Sequence, residues 1–172
     1  MAIVIEDGTG VETANSYASV AETQAYAAAH GVTLADAAAV EQMLLDAALY
    51  LESLKYKGER THAAQALSWP RTDVEHDGRT FASDAVPPAI ARAQMQLVLE
   101  LHAGILLWES ASAVASGKKF VKRKKVDVLE TEYATPAEMG ADGGAAAASI
   151  PKVDAMLAPF RRARSPLYTY RA

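Results

Sequence analysis

Lysine and arginine are concentrated in one stretch of the chain, KKFVKRKKVDVLETEY, which runs from Lys118 to Tyr133. Six of its first eight residues are cationic, and three acidic residues follow them. Lysine and arginine neutralise the phosphates of nucleic acids, and aromatic rings stack on bases. The stretch therefore predicts a nucleic-acid contact in which Phe120 or Tyr133 stacks on a base.

The same stretch also fits a contact between protein subunits. Its acidic half contains Asp127, Glu130 and Glu132, and in a head-to-tail ring the basic flank of one subunit meets the acidic flank of the next. A third interpretation is a solvated edge strand, because lysines on an edge discourage unwanted pairing. Composition leaves the nucleic-acid contact and the protein contact as open alternatives.

The remaining residues with chemical potential give little support for catalysis or metal binding. His30, His62, His76 and His102 stand far apart, without the i, i+4 pair of a helical metal site or a zinc-type spacing. The chain has no cysteine, which excludes thiolate nucleophiles, thiolate metal ligands and disulfides. We therefore expect no enzymatic activity, no cofactor and no bound metal.

One acidic segment imitates a calcium-binding loop. Four acidic residues and one glycine fall at five positions of the EF-hand pattern: Asp73, Glu75, Asp77, Gly78 and Asp84. Pro70 interrupts the helix that would enter the loop, and the last position holds aspartate instead of the usual bidentate glutamate. The segment is predicted to be a wrapped loop with a small hairpin at Asp77-Gly78.

Length and charge limit the architecture and the partners. The chain has 172 residues, which fits one domain with appendages. Its formal net charge is −4 and its sequence pI is about 5.6, so any affinity for nucleic acid must be local. The N-terminus lacks the pattern of a signal peptide, and the most apolar window, 97–108, is too short to span a bilayer. A soluble intracellular protein with no membrane partner is expected.

The first elements are predicted from capping and periodicity. A short strand is expected at Ile3–Ile5, followed by a glycine-rich turn. Ser19 and Glu22 form a capping-box pattern at the start of the first helix, and Gly31 fits its C-terminal end. A second cap is expected from Thr33 with Asp36, before a long amphipathic helix that ends near Lys55. Its apolar stripe comprises Val40, Met43, Leu44, Ala47, Leu51 and Leu54.

A central helix is predicted after Pro87-Pro88, because proline is suited to a first helical turn. Gly104 is expected inside this helix. Trp69, before Pro70, is predicted to fold over the end of the helix pair. The central helix's apolar face is expected to contain Ile90, Leu97, Leu101, Ile105 and Trp108.

The predicted fold is mainly α: a small helical bundle with a charged β-strand or hairpin arm, a tethered C-terminal helix and an extended tail. Residues 1–109 form the helical body, 110–149 the linker and β arm, and 150–172 the C-terminal helix and docking tail. The last helix is expected to start near Pro151 and to bear a narrow apolar stripe of Val153, Met156, Leu157 and Phe160.

Four segments in order resemble a known family: IVIEDGTGVETANSYASVAETQAYAAAHG, ALSWPRTDV, DAVPPAIARAQMQLVLEL and VKRKKVDVLETEYA. They are similar to the head-to-tail connector (adaptor, head-completion) proteins of tailed bacteriophages, a family often labelled DnaT-like single-stranded DNA-binding protein. Members usually carry a glycine where this chain has Asp127.

The resemblance implies a structural virion protein that forms a ring, expected to be twelve-fold, beneath the portal. This ring would extend the DNA channel, pass double-stranded DNA without sequence-specific binding, and join the portal protein to the downstream neck or tail completion protein. The expected location is the capsid–tail neck of the virion, with the host cytoplasm during assembly. The DnaT-like label implies the alternative, a single-stranded DNA-binding protein of replication type.

On the connector interpretation, the β arm contacts an adjacent subunit, and the last helix and tail dock onto the portal. Tyrosine and arginine are favoured as interface anchors. The expected interface residues are Phe120, Lys122, Arg123, Lys124, Lys125, Glu130, Glu132, Tyr133, Phe160, Arg161, Arg162, Tyr168 and Tyr170. The expected structural anchors are Trp69, Pro70 and Trp108.

Overall fold

The computed structural model describes residues 2–109, 121–125, 130–133, 146–147 and 150–162, with side chains described for 2–108 and 150–162. The chain divides into two compact units, which we call the body (1–105 with 149–172) and the arm unit (106–148). The described part is mainly helical with a small hairpin arm, which confirms the predicted fold class.

Four helices lie in the described part of the body: α1 Val20–Ala29, α2 Ala37–Glu52, α3 Pro88–His102 and α4 Pro151–Leu157. Helix α3 contacts each of the other three, so it is the central helix that the sequence predicts. The core between these helices is lined by fully or almost fully buried apolar residues: Val40, Leu44, Ala47, Leu51, Ile90, Ala93, Leu97, Val98, Val153 and Leu157.

The described strands are short and form antiparallel pairs. In the body, β1 Glu59–Arg60 pairs with β2 Arg71–Thr72, and β3 Glu75–His76 pairs with β4 Arg79–Thr80. In the arm unit, β5 Trp108–Glu109 pairs with β8 Ala146–Ala147, and β6 Val121–Lys125 pairs with β7 Glu130–Tyr133.

Helix α1 begins as predicted. The Ser19 hydroxyl accepts a hydrogen bond from the Glu22 N–H, and the Glu22 carboxylate accepts from the Ser19 N–H, which completes the capping box. The N-cap of helix α2 differs from the predicted one. Asp36, rather than Thr33, is the N-cap residue, because its carboxylate accepts hydrogen bonds from the N–H groups of Ala38 and Ala39. Helix α2 ends at Glu52, three residues before the predicted Lys55.

Helix α3 is shorter than predicted, because Gly104 terminates it. Gly104 has a φ of +86°, a left-handed conformation that glycine adopts without steric cost. Its N–H donates to the Leu101 carbonyl, and the Ile105 N–H donates to the Glu100 carbonyl, which is the Schellman arrangement. Ile105 and Trp108 therefore do not lie on the helix as predicted. Ile105 is 41% exposed, and Trp108 begins β5.

The N-terminal segment is a loop built around a buried carboxylate, with a single parallel bridge between Ile5 and Ser16 in place of the predicted strand. Glu6 is 3% exposed, and its carboxylate accepts hydrogen bonds at 2.9 Å from the N–H groups of Gly8, Gly10 and Val11. A buried carboxylate is tolerated when several backbone donors satisfy it. This loop thus has a structural role.

The predicted hairpin at Asp77-Gly78 is confirmed. The turn between β3 and β4 has φ values of +52° at Asp77 and +70° at Gly78, as a type I′ turn requires. The residues that imitate an EF-hand loop therefore belong to a hairpin and the segments flanking it.

Trp69 is fully buried, in the core position that the sequence predicts for it. Its ring meets three aromatic rings edge-on, those of Tyr56, Phe81 and Phe160, at centroid distances of 5.7, 6.5 and 5.7 Å. Edge-to-face pairs at these distances add stabilisation beyond the buried area. Pro70 is buried beside it, and the Trp69–Pro70 peptide is cis.

Candidate nucleic-acid interface

The cationic stretch contains two antiparallel strands that form a hairpin, in agreement with the predicted β arm. Strand β6 contains Lys122, Arg123, Lys124 and Lys125, and β7 contains Glu130 and Glu132. The register pairs Arg123 with Glu132, Lys124 with Thr131, and Lys125 with Glu130. The register shifts between Val121 and Arg123, so Lys122 lies at an irregularity of the ladder.

This register separates the charged positions by face. Directly opposed positions of a hairpin share a face, and successive positions along a strand alternate between faces. Arg123 and Lys125 therefore share one face with their register partners, Glu132 and Glu130.

The second face combines a cation with polar and aromatic positions. Lys124 is paired with Thr131, and Tyr133 follows two residues later on the same face, opposite Val121. A cation, a hydroxyl and an aromatic ring are the residue types that proteins use to bind single strands. The separation of charges between the two faces and the register shift at Lys122 cannot be predicted from composition.

The opposite charges of the stretch are thus placed opposite each other within one chain. The hypothesis of a contact between subunits assumes that the basic flank of one subunit meets an acidic flank of the next. Because Glu130 and Glu132 are register partners of two of the four cations, the hairpin itself supplies part of that complement.

Phe160 was predicted to be an interface residue, but the structure places it in the core. It is 6% exposed, and its ring lies against those of Trp69, Phe81 and His76, with centroid distances of 5.7, 6.1 and 5.6 Å. An aromatic ring buried in the core of its own chain is not an exposed docking residue. The sequence shows Phe160 only as the end of an apolar stripe, and the rings that cover it lie far away along the chain.

The two arginines after Phe160 have different environments. Arg161 forms an ion pair with Asp154, and its backbone bridges to Tyr56. Arg162 is exposed, and its N–H donates to the Lys55 carbonyl at 3.0 Å. Helix α4, predicted to be tethered, packs against α3. The other predicted docking residues, Phe120, Tyr168 and Tyr170, lie outside the described residues.

A polar network that the sequence does not predict holds the loop that contains Trp69. The Glu52 carboxylate accepts hydrogen bonds from the Tyr17 hydroxyl at 2.7 Å, the Ser68 N–H at 2.9 Å and the Ser68 hydroxyl at 2.7 Å. The Tyr17 hydroxyl also accepts from the Trp69 N–H at 3.2 Å. Burial, followed by the charge of Glu52, raises the pKa of Tyr17. The local signal in the sequence was weak: Glu52 is a carboxylate that directly follows the apolar run Leu49–Leu51.

A second missed residue is Gln94, which is fully buried on α3. Its side-chain oxygen accepts from the Tyr17 N–H at 2.7 Å, and its amide group donates to Ser16 Oγ and to the Leu44 carbonyl. Buried amides of this kind join segments that are distant in sequence. Gln94 thus ties the N-terminal loop to α2 and α3.

The whole chain, residues 1–172, matches the family described as "Putative DnaT-like ssDNA binding protein". The chain belongs to this family. The DnaT-like label was expected from the sequence resemblance. The family description mentions neither a connector nor a virion. No curated protein and no solved structure matches the chain.

The match to the DnaT-like family extends over both the body and the arm unit. Within the described residues, no helix is both long and apolar enough to cross a membrane. Across the same residues, no group of three or more histidines or carboxylates is placed to hold a metal ion.

Proposed function

We propose that this protein binds single-stranded DNA through the β6–β7 hairpin. The observation that carries the proposal is the hairpin register, which places Lys124, Thr131 and Tyr133 on one face. Membership of the DnaT-like family supports the same ligand. The face with opposed charges then serves to hold the two strands together.

The proposed binding is local and electrostatic. The chain as a whole carries a net charge of −4, so the hairpin must attract phosphate against a repulsive background. Each phosphate neutralised on a single strand contributes about −0.7 to the slope of log K against log salt. We therefore expect binding that is strong at low salt and falls steeply as salt rises.

The proposed chemistry favours single strands and tolerates many sequences. A base of a single strand exposes its face to an aromatic ring, and such stacking contributes about 1–3 kcal/mol per base. Phosphate contacts carry no sequence information. The expected specificity is therefore for unpaired strands rather than for a particular base sequence.

Fluorescence anisotropy of a labelled oligodeoxythymidine, measured across a salt series, tests the proposal. Two double variants of β6 each remove two positive charges: Lys122→Gln/Lys124→Gln and Arg123→Gln/Lys125→Gln. The first is expected to reduce affinity and the salt slope more than the second, because Arg123 and Lys125 are register partners of glutamates.

The wild-type protein supplies the reference, and a duplex of the same length supplies the competitor. If the wild-type protein does not retain the oligonucleotide at low salt, the proposal is wrong. If the two double variants weaken binding equally, the assignment to one hairpin face is wrong.

The second candidate function is the head-to-tail connector, a ring-forming virion protein that binds the portal and the next neck protein. It rests on the sequence resemblance and on the β6–β7 pair, whose strands have no third strand beside them among the described residues. An open strand edge accepts a strand from another chain. On this proposal, the hairpin joins neighbouring subunits in the neck of the virion after assembly in the host cytoplasm.

Sedimentation separates the two candidates. The purified protein is run alone, with portal rings encoded in the same genome, and with single-stranded DNA. Co-sedimentation with the portal at a fixed ring stoichiometry supports the connector. Co-sedimentation with DNA alone refutes it in favour of the DNA-binding function.

A further inference from the structure

A group of cations gathers at one end of the body, far from the hairpin in sequence. The segment 55–57 pairs with 160–162: the Lys57 N–H donates to the Phe160 carbonyl at 2.9 Å, and the Arg162 N–H donates to the Lys55 carbonyl at 3.0 Å. Three residues further along the chain, Arg60 is the register partner of Arg71 in the β1–β2 pair. Three separate segments thus bring their cations to neighbouring positions.

Three of these cations, Arg60, Arg71 and Arg162, form what we call the arginine cluster. Burial, and then the positive charges of Arg60 and Arg162, lower the pKa of Arg71. Arg60, opposite Arg71 in the β1–β2 pair, and Arg162, hydrogen-bonded to the Lys55 carbonyl, thus each place a positive charge near Arg71. Lys55 and Lys57 flank the arginine cluster on the same segment.

Arg71 is held in place without a carboxylate ligand. Its guanidinium donates to three backbone carbonyls, those of Lys57 at 2.7 Å, Ser68 at 3.1 Å and Gly58 at 2.7 Å. Backbone carbonyls fix the position of the group but carry no net charge that would neutralise it. Arg71 is thus the rigid centre of the arginine cluster.

Glu52 compensates the charge of the arginine cluster only in part. Glu52 lies 3.6 Å from Arg60, but its oxygens also accept the three hydrogen bonds from Tyr17 and Ser68. Glu59 is exposed and precedes Arg60 on β1, where successive residues point to opposite faces. Arg162 is exposed and has no carboxylate within ion-pair distance among the described residues.

We propose that the arginine cluster is a second DNA-binding surface of this protein, which binds the phosphate backbone of single-stranded DNA. This inference rests on the proposed DNA-binding function. Guanidinium groups bind phosphate oxygens through paired N–H donors, which makes arginine the residue best suited to a phosphodiester. The arginine cluster is formed from three chain segments, so it suits a strand with several phosphates better than a single phosphate ion.

Salt-dependent binding of labelled oligodeoxythymidine tests this surface with the full chain. Arg60→Gln/Arg162→Gln removes two cluster charges and leaves Arg71, which holds the backbone, in place. The control Arg92→Gln/Lys152→Gln removes the same charge from α3 and α4. Because each lost phosphate contact reduces the slope by about 0.7, we expect the cluster variant to lose about 1.4 from its slope. The control variant is expected to keep the wild-type slope.

Two further variants separate binding from folding. Arg162→Gln alone is expected to reduce the slope by about 0.7, since Arg162 forms no ion pair within the described residues. Arg60→Lys/Arg162→Lys retains both charges and is expected to recover most of the slope. Thermal unfolding of each variant checks that the body remains folded.

Each outcome distinguishes this inference from the proposed function. If the wild-type protein binds the oligonucleotide but the cluster variant behaves like the control, the arginine cluster is not a DNA surface and the hairpin proposal stands. If the wild-type protein does not bind at all, both proposals are wrong. A slope that falls in the cluster variant and recovers with lysine supports the second surface.

Discussion

The body and the arm hairpin use their charged residues in different ways. In the body, Glu6 and Glu52 are largely buried, and each accepts three hydrogen bonds from groups of the same chain. In the hairpin, four cations occupy consecutive positions of one strand, and only two of them have a glutamate as register partner. Charge in the body thus fixes loops, whereas in the described part of the hairpin two of the four β6 cations have no glutamate as register partner.

This difference separates residues that serve the fold from those that the proposed function assigns to a ligand. A buried charged group must be satisfied within the chain, because an unsatisfied one costs several kcal/mol. In the hairpin, Arg123 and Lys125 have a glutamate as register partner, and on the proposed function Lys122 and Lys124 serve the DNA ligand. The arginine cluster lies between these cases, since Arg71 is fixed by backbone carbonyls while Arg162 is exposed.

The largest expected effect on the free energy of unfolding comes from substitution of Trp69 in the body. Trp69→Ala should lower the free energy of unfolding by about 3–5 kcal/mol, because it removes a fully buried ring that contacts three others. Urea denaturation followed by circular dichroism measures it. Trp69→Phe is the control and should cost less, since the indole N–H has no acceptor in the described structure. A loss below about 1 kcal/mol for Trp69→Ala would contradict the role of this residue as the core anchor.

The second-largest expected effect on stability comes from substitution of Glu52. Glu52→Gln should destabilise the body by about 1–3 kcal/mol, because one carboxylate oxygen that accepts hydrogen bonds from Tyr17 or Ser68 becomes an amide donor. The exposed Glu75 on β3 provides the matched control, and Glu75→Gln should change stability by less than about 0.5 kcal/mol. Equal urea midpoints for the two variants would show that the network contributes little.

A smaller effect is expected at alkaline pH. Burial is the main cause that raises the pKa values of Tyr17 and Tyr56 in the folded protein. Unfolded tyrosines ionise near pH 10, so both residues contribute stability that is complete below pH 10 and is lost as the pH rises above it. By pH 11 each tyrosine should account for a loss of about 1 kcal/mol.

Urea unfolding at a series of pH values from 8 to 11 measures this loss. Tyr17→Phe should make the decline less steep, while the decline from Tyr56 remains. If the variant and the wild-type protein lose stability in parallel, the ionisation of Tyr17 is not coupled to unfolding.

The smallest expected effect on stability is in the hairpin. Lys122→Gln/Lys124→Gln should change the free energy of unfolding of the body by less than about 0.5 kcal/mol, because these residues lie outside its core. The same variant is expected to lose DNA affinity. A destabilisation above 1 kcal/mol would show that the hairpin cations serve the fold, and would remove the contrast between the two regions.

The features that the sequence predicts correctly have a local signal. The capping box at Ser19 and the turn at Asp77-Gly78 each depend on a few neighbouring residues. The end of α3 at Gly104 was not predicted, because apolar residues continue beyond this glycine and conceal the end of the helix. Thr33 and Asp36 are both good N-cap residues, and only the backbone geometry distinguishes them.

The candidate site was predictable in composition but not in arrangement. The basic stretch is visible in the sequence, whereas the pairing of Arg123 with Glu132 depends on the length of the connection between strands. Long-range contacts were not predictable from local pattern. The burial of Phe160 and the approach of Arg162 to Arg71 both require the pairing of segments about 100 residues apart.

Photo-crosslinking provides the most direct test of the central claim that the hairpin binds single-stranded DNA. An oligonucleotide containing 5-bromodeoxyuridine is irradiated with the wild-type protein, and the cross-linked peptides are identified by mass spectrometry. The account predicts a cross-link at Tyr133 that disappears when unlabelled single-stranded DNA competes. Cross-links confined to peptides of the body, or none at all, would contradict it.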